Sequence, residues 1–390
     1  MTLYSKVFVF TVCACFWLSC RLATDKTNAS TSNSITPQAG NFETTYNNTS
    51  IHLYVLKNKN GMEAGITNYG AKLVYLMAPD KTGAMDDVVL GYDNISDYLS
   101  GQQSFGAIIG RFANRIDGGK FKIDSIQYGL ATNSGGRNHI HGGHYGFSRM
   151  AWRSSSDPAA VHNQVKFSYF SKDMEEGYPG NLEVEVAYTL NDENELIIDY
   201  NATTDQSTII NLTNHAYFNL AGVYAENDIH DHKMTIFASK FVVVRPDLIP
   251  TGEIRPTENT PMDFKTAHVI GDRIDVAYQQ LQAANGYDHC YVLDKENENE
   301  LTLAAIVDHS STGRRMEVYT TSPAVQFYAG NHLNGTAIGK GGISYQKRAA
   351  LCLEAQNFPD APNHEHFPSS ILRPNQVYSK TDIYKFGVIQ

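Results

Sequence analysis

The sequence is short of several things at once, and each shortage removes a class of explanation. Only five of its 390 residues are cysteine, and three of these fall within the first twenty, leaving Cys290 and Cys352 for the rest of the chain. No C-x-x-C pair occurs, so a thiolate zinc site has no foundation. Cys290 and Cys352 either pair in an oxidising compartment or stand as two buried free thiols. Acidic residues outnumber basic ones, 41 to 31, for a formal net charge of −10, and no Lys/Arg cluster stands out. That balance argues against a nucleic-acid footprint and disfavours phosphorylated or other anionic substrates. A G-x-S-x-G elbow is missing, and no repeat with a period of 20 to 50 residues is found, which weakens a hydrolase of that type, a propeller and a solenoid. Tryptophan occurs twice, against 23 tyrosines and 18 phenylalanines, a balance that suits cross-strand pairs and a β-rich core.

At the N-terminus, Lys6 precedes the apolar run Val7 to Leu18. Twelve residues fit the h-region of a signal peptide and are too few to span a bilayer. The run ends Trp17-Leu-Ser-Cys20, and a cysteine after a small residue resembles a bacterial lipoprotein signal with Cys20 as the lipidation candidate, although Trp17 stands where leucine is usual. Residues 1–20 are therefore expected to be a signal peptide that directs export, to the periplasm or to a membrane through a lipid anchor, with secretion as the alternative. From Thr24 to Gly40 the chain is mostly Ser, Thr, Asn and Gln, and residues 21–40 read as a disordered polar tether.

Beyond it, alternation with a period of two dominates. Val165–Phe170, Leu182–Tyr188, Glu195–Tyr200, Phe241–Val244, Met316–Tyr319 and Ala324–Tyr328 all show it, with turn residues such as Gly177-Tyr-Pro-Gly180 and Asn334-Gly335 between them. Helical spacing is confined to 272–284, opened by an Asp cap and closed by Asn285-Gly286. A doubly wound fold needs many such helices, so the expectation is all-β: a single large antiparallel β-sandwich over 41–390 with few short helices.

Within this frame, Ile209-Ile-Asn-Leu-Thr-Asn-His-Ala-Tyr-Phe-Asn-Leu220 places Ile210, Leu212, Ala216, Phe218 and Leu220 on one apolar face. Asn211, Thr213, His215, Tyr217 and Asn219 line the other, which looks like a site. Glu354 and Gln356 share a strand face near the C-terminus, where a carboxylate is costly unless it has partners or a task. Asp288, Gln326, and Asn114 beside Arg115 repeat the pattern of polar groups in or at the end of strands. His139 and His141 would share a strand face and could hold an ion, with Asp231 and His232 completing the set. No H-E-x-x-H motif supports this, and Gly142-Gly143 suggests a loop approaching a ligand. What remains is an acid and a base. On residue chemistry alone, His215 and Glu354 serve catalysis or structure about equally well.

Read together, G-R-F-A-N-R-I, H-G-G, E-E-G-Y-P-G, N-L-T-N-H-A-Y-F-N-L-A-G, L-I-P-T-G-E, G-Y-D-H, V-Q-F-Y-A-G-N and C-L-E-A-Q-N-F-P-D-A resemble the aldose 1-epimerase (galactose mutarotase) family, in its order and spacing from about residue 41 to the C-terminus. The resemblance implies a galactose mutarotase-like sandwich and interconversion of the α and β anomers of free aldohexoses, with no metal or cofactor. It implies His215 as general acid and Glu354 as general base, with Asn114, Arg115, His141, Asp288 and Gln326 binding the sugar. His139 and His144 fall outside the family pattern. A hexose-phosphate epimerase would need extra cations, for which Arg111 and Arg315 are candidates. A non-catalytic sugar-binding protein on the same sandwich would be favoured had either His215 or Glu354 been lost, and a glycosidase or lyase would need Asp288 as a second placed carboxylate.

Overall fold

The structure is a computed structural model and describes residues 1–2, 36–101, 104–159, 162–225 and 228–389. Residues 35–390 cluster as one compact unit, set apart from residues 1–34. The expected signal peptide, Cys20 and nearly all of the tether lie outside the described residues. Order is already present at the tether's end, where Pro37 is buried and the 3-10 turn Ala39–Phe42 buries Phe42 completely. Among the described residues no helix is long and apolar enough to cross a membrane.

Alternating patterns became strands because each could bury one face. The largest sheet has nine strands, all pairings antiparallel, in the order Arg153–Ser154, Gln164–Ser171, Leu182–Leu190, Glu195–Thr204, Tyr378–Val388, Arg314–Thr320, Thr302–His309, Lys233–Ile236 and His268–Val269. A five-stranded sheet runs Pro250–Pro256, Lys240–Val244, Asp288–Val292, Ala324–Tyr328 and Cys352–Gln356, and Leu53–Lys57 to Met85–Asp87 form a four-stranded sheet. Val186 and Ile198 of the first sheet, Val325, Phe327 and Leu353 of the second, and Ile66 and Leu76 of the third belong to one buried cluster. This is the all-β sandwich expected from the period.

Two local expectations are corrected. Residues 272–284 were expected to be one helix, but only Gln279–Ala284 is helical. Upstream, tertiary contacts hold turns instead: Arg273 donates to the Asp263 carbonyl at 2.6 Å, and the Asp275 carboxylate accepts from Arg348 at 2.6 and 2.7 Å. The predicted stop is where the helix ends, with Asn285 in the left-handed region. The stretch from Ile209 to Leu220 is likewise a broken strand, regular only at Thr208–Ile209 and Thr213–His215. Its faces still divide as expected: Ile210, Leu212, Ala216, Phe218 and Leu220 all join the main core.

Cys290 and Cys352 are buried free thiols. Cys290 lies opposite Gln326 and Cys352 opposite Tyr328, so a whole strand separates them.

Candidate active site

The site is built on the face of the five-stranded sheet turned away from its core residues. Register sets its layout: Asp288 lies opposite Tyr328, while Gln326 lies opposite Glu354 on the next strand. Residues directly across a ladder are about 5 Å apart, so these side chains crowd into one patch without any loop having to bring them there. Gln326 donates to the Asp288 carboxylate at 2.6 Å, and Arg115 stands 3.9 Å from its other oxygen.

His215 arrives from outside this sheet, on Thr213–His215, which pairs with Ala107–Ile109. Phe218 ties the segment to the glutamate strand by two backbone bonds with Leu351, 2.7 and 2.9 Å long. The result places His215 Nε2 3.6 Å from Glu354 Oε1, with the two side chains only 6% and 3% exposed. Among the described residues, neither His215 Nδ1 nor Glu354 Oε2 has a hydrogen-bond partner. Two unsatisfied polar atoms at this depth are expensive, and a ligand's hydroxyls can satisfy them.

The loop bearing Asn114 folds against the loop bearing His141. The Asn114 amide donates to His141 Nδ1 at 3.2 Å, the His141 amide donates back to the Asn114 carbonyl, and the Asn114 side chain accepts from the Arg115 amide at 2.9 Å. Both residues sit in the left-handed region, at φ 65° and 51°. Because Nδ1 accepts, neutral His141 carries its proton on Nε2 and presents a donor. Its ring lies 5.3 Å from that of His215. Gly142 also lets the loop pack against the chain: a Cβ there would lie 1.8 Å from the Gly110 carbonyl oxygen.

Burial moves the titrations of both central groups. It lowers His215 to about 4, against a smaller upward pull from its own backbone and from Asp288. Burial, reinforced by Asp288, raises Glu354 well above the carboxylate range, while Arg115 and Lys380 pull it back down. Lys380 and its partner Asp382 escaped sequence reasoning. The Lys380 ammonium donates to the carbonyls of Leu212 and Ala355, at 2.8 and 2.6 Å, and pairs with Asp382 at 2.8 Å. It thereby braces the histidine segment to the glutamate strand from behind. The signal was present: Lys380 and Asp382 share the parity of buried Tyr384 and Phe386. Tyr217, on the polar face of the same segment, stacks on His215 at 5.0 Å and 16°.

The ion-sharing arrangement of the histidines is not observed. His139 is buried with one ring nitrogen against the Ala131 carbonyl and the other against the Tyr178 hydroxyl, 2.7 and 2.5 Å away. Asp231 and His232 cluster with His309 instead, where His232 Nε2 accepts from the Leu220 amide. That leaves the proton on Nδ1, facing Asp231, where a metal would require a lone pair. Nor do Arg111 and Arg315 serve a phosphate. Arg111 is buried and donates to six backbone and hydroxyl groups of the Ser171–Lys172, Pro179–Gly180 and Thr208 segments, and Arg315 is bidentate to Asp308 at 2.7 Å.

Residues 52–385 match the aldose 1-epimerase family. The chain belongs to this family. Galactose mutarotase of Bos taurus is 44% identical over 327 residues, covering 84% of this chain and 92% of the relative. Among solved structures, the aldose epimerase homologue from C. elegans superposes with a TM-score of 0.79 at 31% identity, covering 87% of this chain and 99% of that one. Galactose 1-epimerase from Lactobacillus acidophilus gives 0.76 at 28% identity, covering 89% and 97%. Family membership thus extends over nearly all of the sandwich, and every strand that carries a candidate residue lies inside the matched span.

Proposed function

We propose that the chain interconverts the α and β anomers of free aldohexoses such as glucose and galactose, with Glu354 as general base and His215 as general acid. The observation that supports this most is the 3.6 Å approach of an imidazole and a carboxylate, both buried and each with an unused polar atom. Anomer exchange requires removal of the C1 hydroxyl proton and delivery of a proton to the ring oxygen O5. The C1–O5 bond then opens to an aldehyde. Rotation about C1–C2 turns the other carbonyl face to O5, and the two groups run the steps in reverse.

Ring opening starts from ionised Glu354 and protonated His215, and it leaves Glu354 protonated and His215 neutral. Burial favours this second state, the one that accompanies the open-chain aldehyde. Arg115 and Lys380 acting on Glu354, and Asp288 acting on His215, favour the first. The pair holds one proton throughout, so catalysis shifts it between two sites whose opposing influences bring their energies together. Asp288, Gln326, Arg115 and the His141 N–H fix the hydroxyls, and Arg115 and His141 offset charge growing on the ring oxygens.

Polarimetry of freshly dissolved α-D-glucose and α-D-galactose tests this reading. Wild type should speed the approach to equilibrium, while Glu354→Gln and His215→Asn should each lose about 10²–10⁴-fold. Equal decay for wild type and Glu354→Gln would remove the base from the mechanism. We further propose that residues 1–20 export the enzyme, anchored through Cys20 or free, so that it acts on sugars outside the cytoplasmic membrane. Native protein recovered in the cytoplasmic fraction would refute export, and intact Cys20 without lipid would refute the anchor.

A further inference from the structure

A cavity of about 550 Å³ is lined in part by His141, one of the candidate sugar-binding residues, and so adjoins the site. Lys72, Arg149, His144, Ser104 and Ser148 contribute polar groups to its wall; among the described residues no aspartate or glutamate lines it, and the carboxylate at its rim, Glu176, is held by the His144 and Tyr145 amides at 3.0 and 2.9 Å. In a chain of net charge −10 such a wall is an exception. Local potential, not net charge, governs which ligand a cleft attracts.

Lys72 is the central feature. Among the described residues three lysines are buried to 5% exposure or less, and two of them face buried aspartates: Lys340 with Asp87, and Lys380 with Asp382. Lys72, at 2%, donates to the Ser148 carbonyl and lies 4.5 Å from the Tyr69 ring centroid, with no carboxylate paired to it among the described residues. A carbonyl and a ring face orient an ammonium without neutralising it, and burying a cation without a counter-charge is costly. Burial, with Arg149 adding to it, lowers the Lys72 amine to about 7.

The chemistry of the reaction indicates which end of the sugar reaches this cavity. Glu354 addresses C1, and His215 addresses O5. Beyond O5 comes C5, bearing C6, and of the rings that flank His215, Tyr217 at 5.0 Å and His141 at 5.3 Å, it is His141 that opens onto the cationic wall. We propose that this cavity is an anion subsite of the sugar site, and that the enzyme takes aldoses with an acidic group at C6, hexuronates above all, in preference to neutral aldoses. The inference rests on the anomerase reading and specifies its substrate class. The ligand's carboxylate supplies the counter-charge that Lys72 lacks.

The test is polarimetry of α-D-galacturonate, galactose 6-phosphate and α-D-galactose with wild type, Lys72→Met and Arg149→Gln at pH 6 and pH 8. For wild type at pH 6 we expect a KM for galacturonate about tenfold below that for galactose, a difference of one charged contact. That ratio should fall toward one in either variant, and in wild type at pH 8 as the amine loses its proton. A phosphate preference in place of the carboxylate one assigns the same subsite to the longer anion. Equal KM values for charged and neutral sugars in wild type overturn the subsite, as does a preference retained in both variants. Arg149 is only half-buried, so Arg149→Gln decides the matter if Lys72→Met fails to fold. Should wild type turn over none of the sugars, the anomerase reading falls; turnover of galactose without an acidic preference removes the subsite alone.

Discussion

At the scale of single residues, the site trades stability for chemistry, and Glu354 shows it most directly. Its carboxyl is raised by burial, so the folded state holds the proton more tightly than the unfolded state does. Both states are protonated below about pH 4, and stability declines as pH rises through and above the unfolded value. Glu354→Gln keeps the shape and removes the charge. Melting curves should therefore coincide for wild type and variant near pH 4 and separate as pH rises, with the inactive variant higher by about 2–4 °C at pH 8. A variant that melts below wild type at pH 8 would show that Glu354 is a stabilising ion-pair partner instead. Sequence alone left this question balanced, because parity places a carboxylate on a face but does not report its counter-charges.

At the scale of elements, function depends on how the histidine segment is held to the glutamate strand. Lys380 joins their backbones at Leu212 and Ala355, and its charge lowers Glu354. Removing Lys380 alone would strand Asp382 as a buried unpaired charge, so the informative variant is Lys380→Met with Asp382→Asn. Loss of the cation should move the acid limb of the pH–rate profile to higher pH and lower kcat more than it raises KM. A uniform loss of folded protein with an unchanged profile would reduce the pair to a structural brace. The six strands read from alternation are all present, because a sheet with one buried face writes its period into the sequence. The helix expected over 272–284 is mostly turn, because Arg273 and Asp275 find partners at Asp263 and Arg348, contacts that no local pattern records.

For the whole molecule, buried imidazoles set the acid limit. Burial lowers His139, His215 and His289 each to about 4, against about 6.5 for an unfolded histidine. Between these values the unfolded chain binds more protons than the folded one, so stability should fall as pH drops from about 6.5 toward 4. Denaturant titrations at pH 7, 5.5 and 4.5 measure the slope. Replacing His139, which takes no part in the chemistry, with Gln should flatten it, and an unchanged slope would place the acid sensitivity elsewhere.

The sequence by itself determined the sandwich and the division of 209–220 into a core face and a polar face, and the resemblance of its motifs to a family singled out the acid and base candidates. Strand parity and residue chemistry are local properties, legible wherever they occur. Only the tertiary structure decided that Gln326 stands across from Glu354, that His215 comes within 3.6 Å of Glu354, that His139 is occupied elsewhere, and that Lys72 is buried with no carboxylate paired to it among the described residues. Register between strands far apart in the chain, and the counter-charge around a buried group, are properties of pairs of segments. No single segment encodes them.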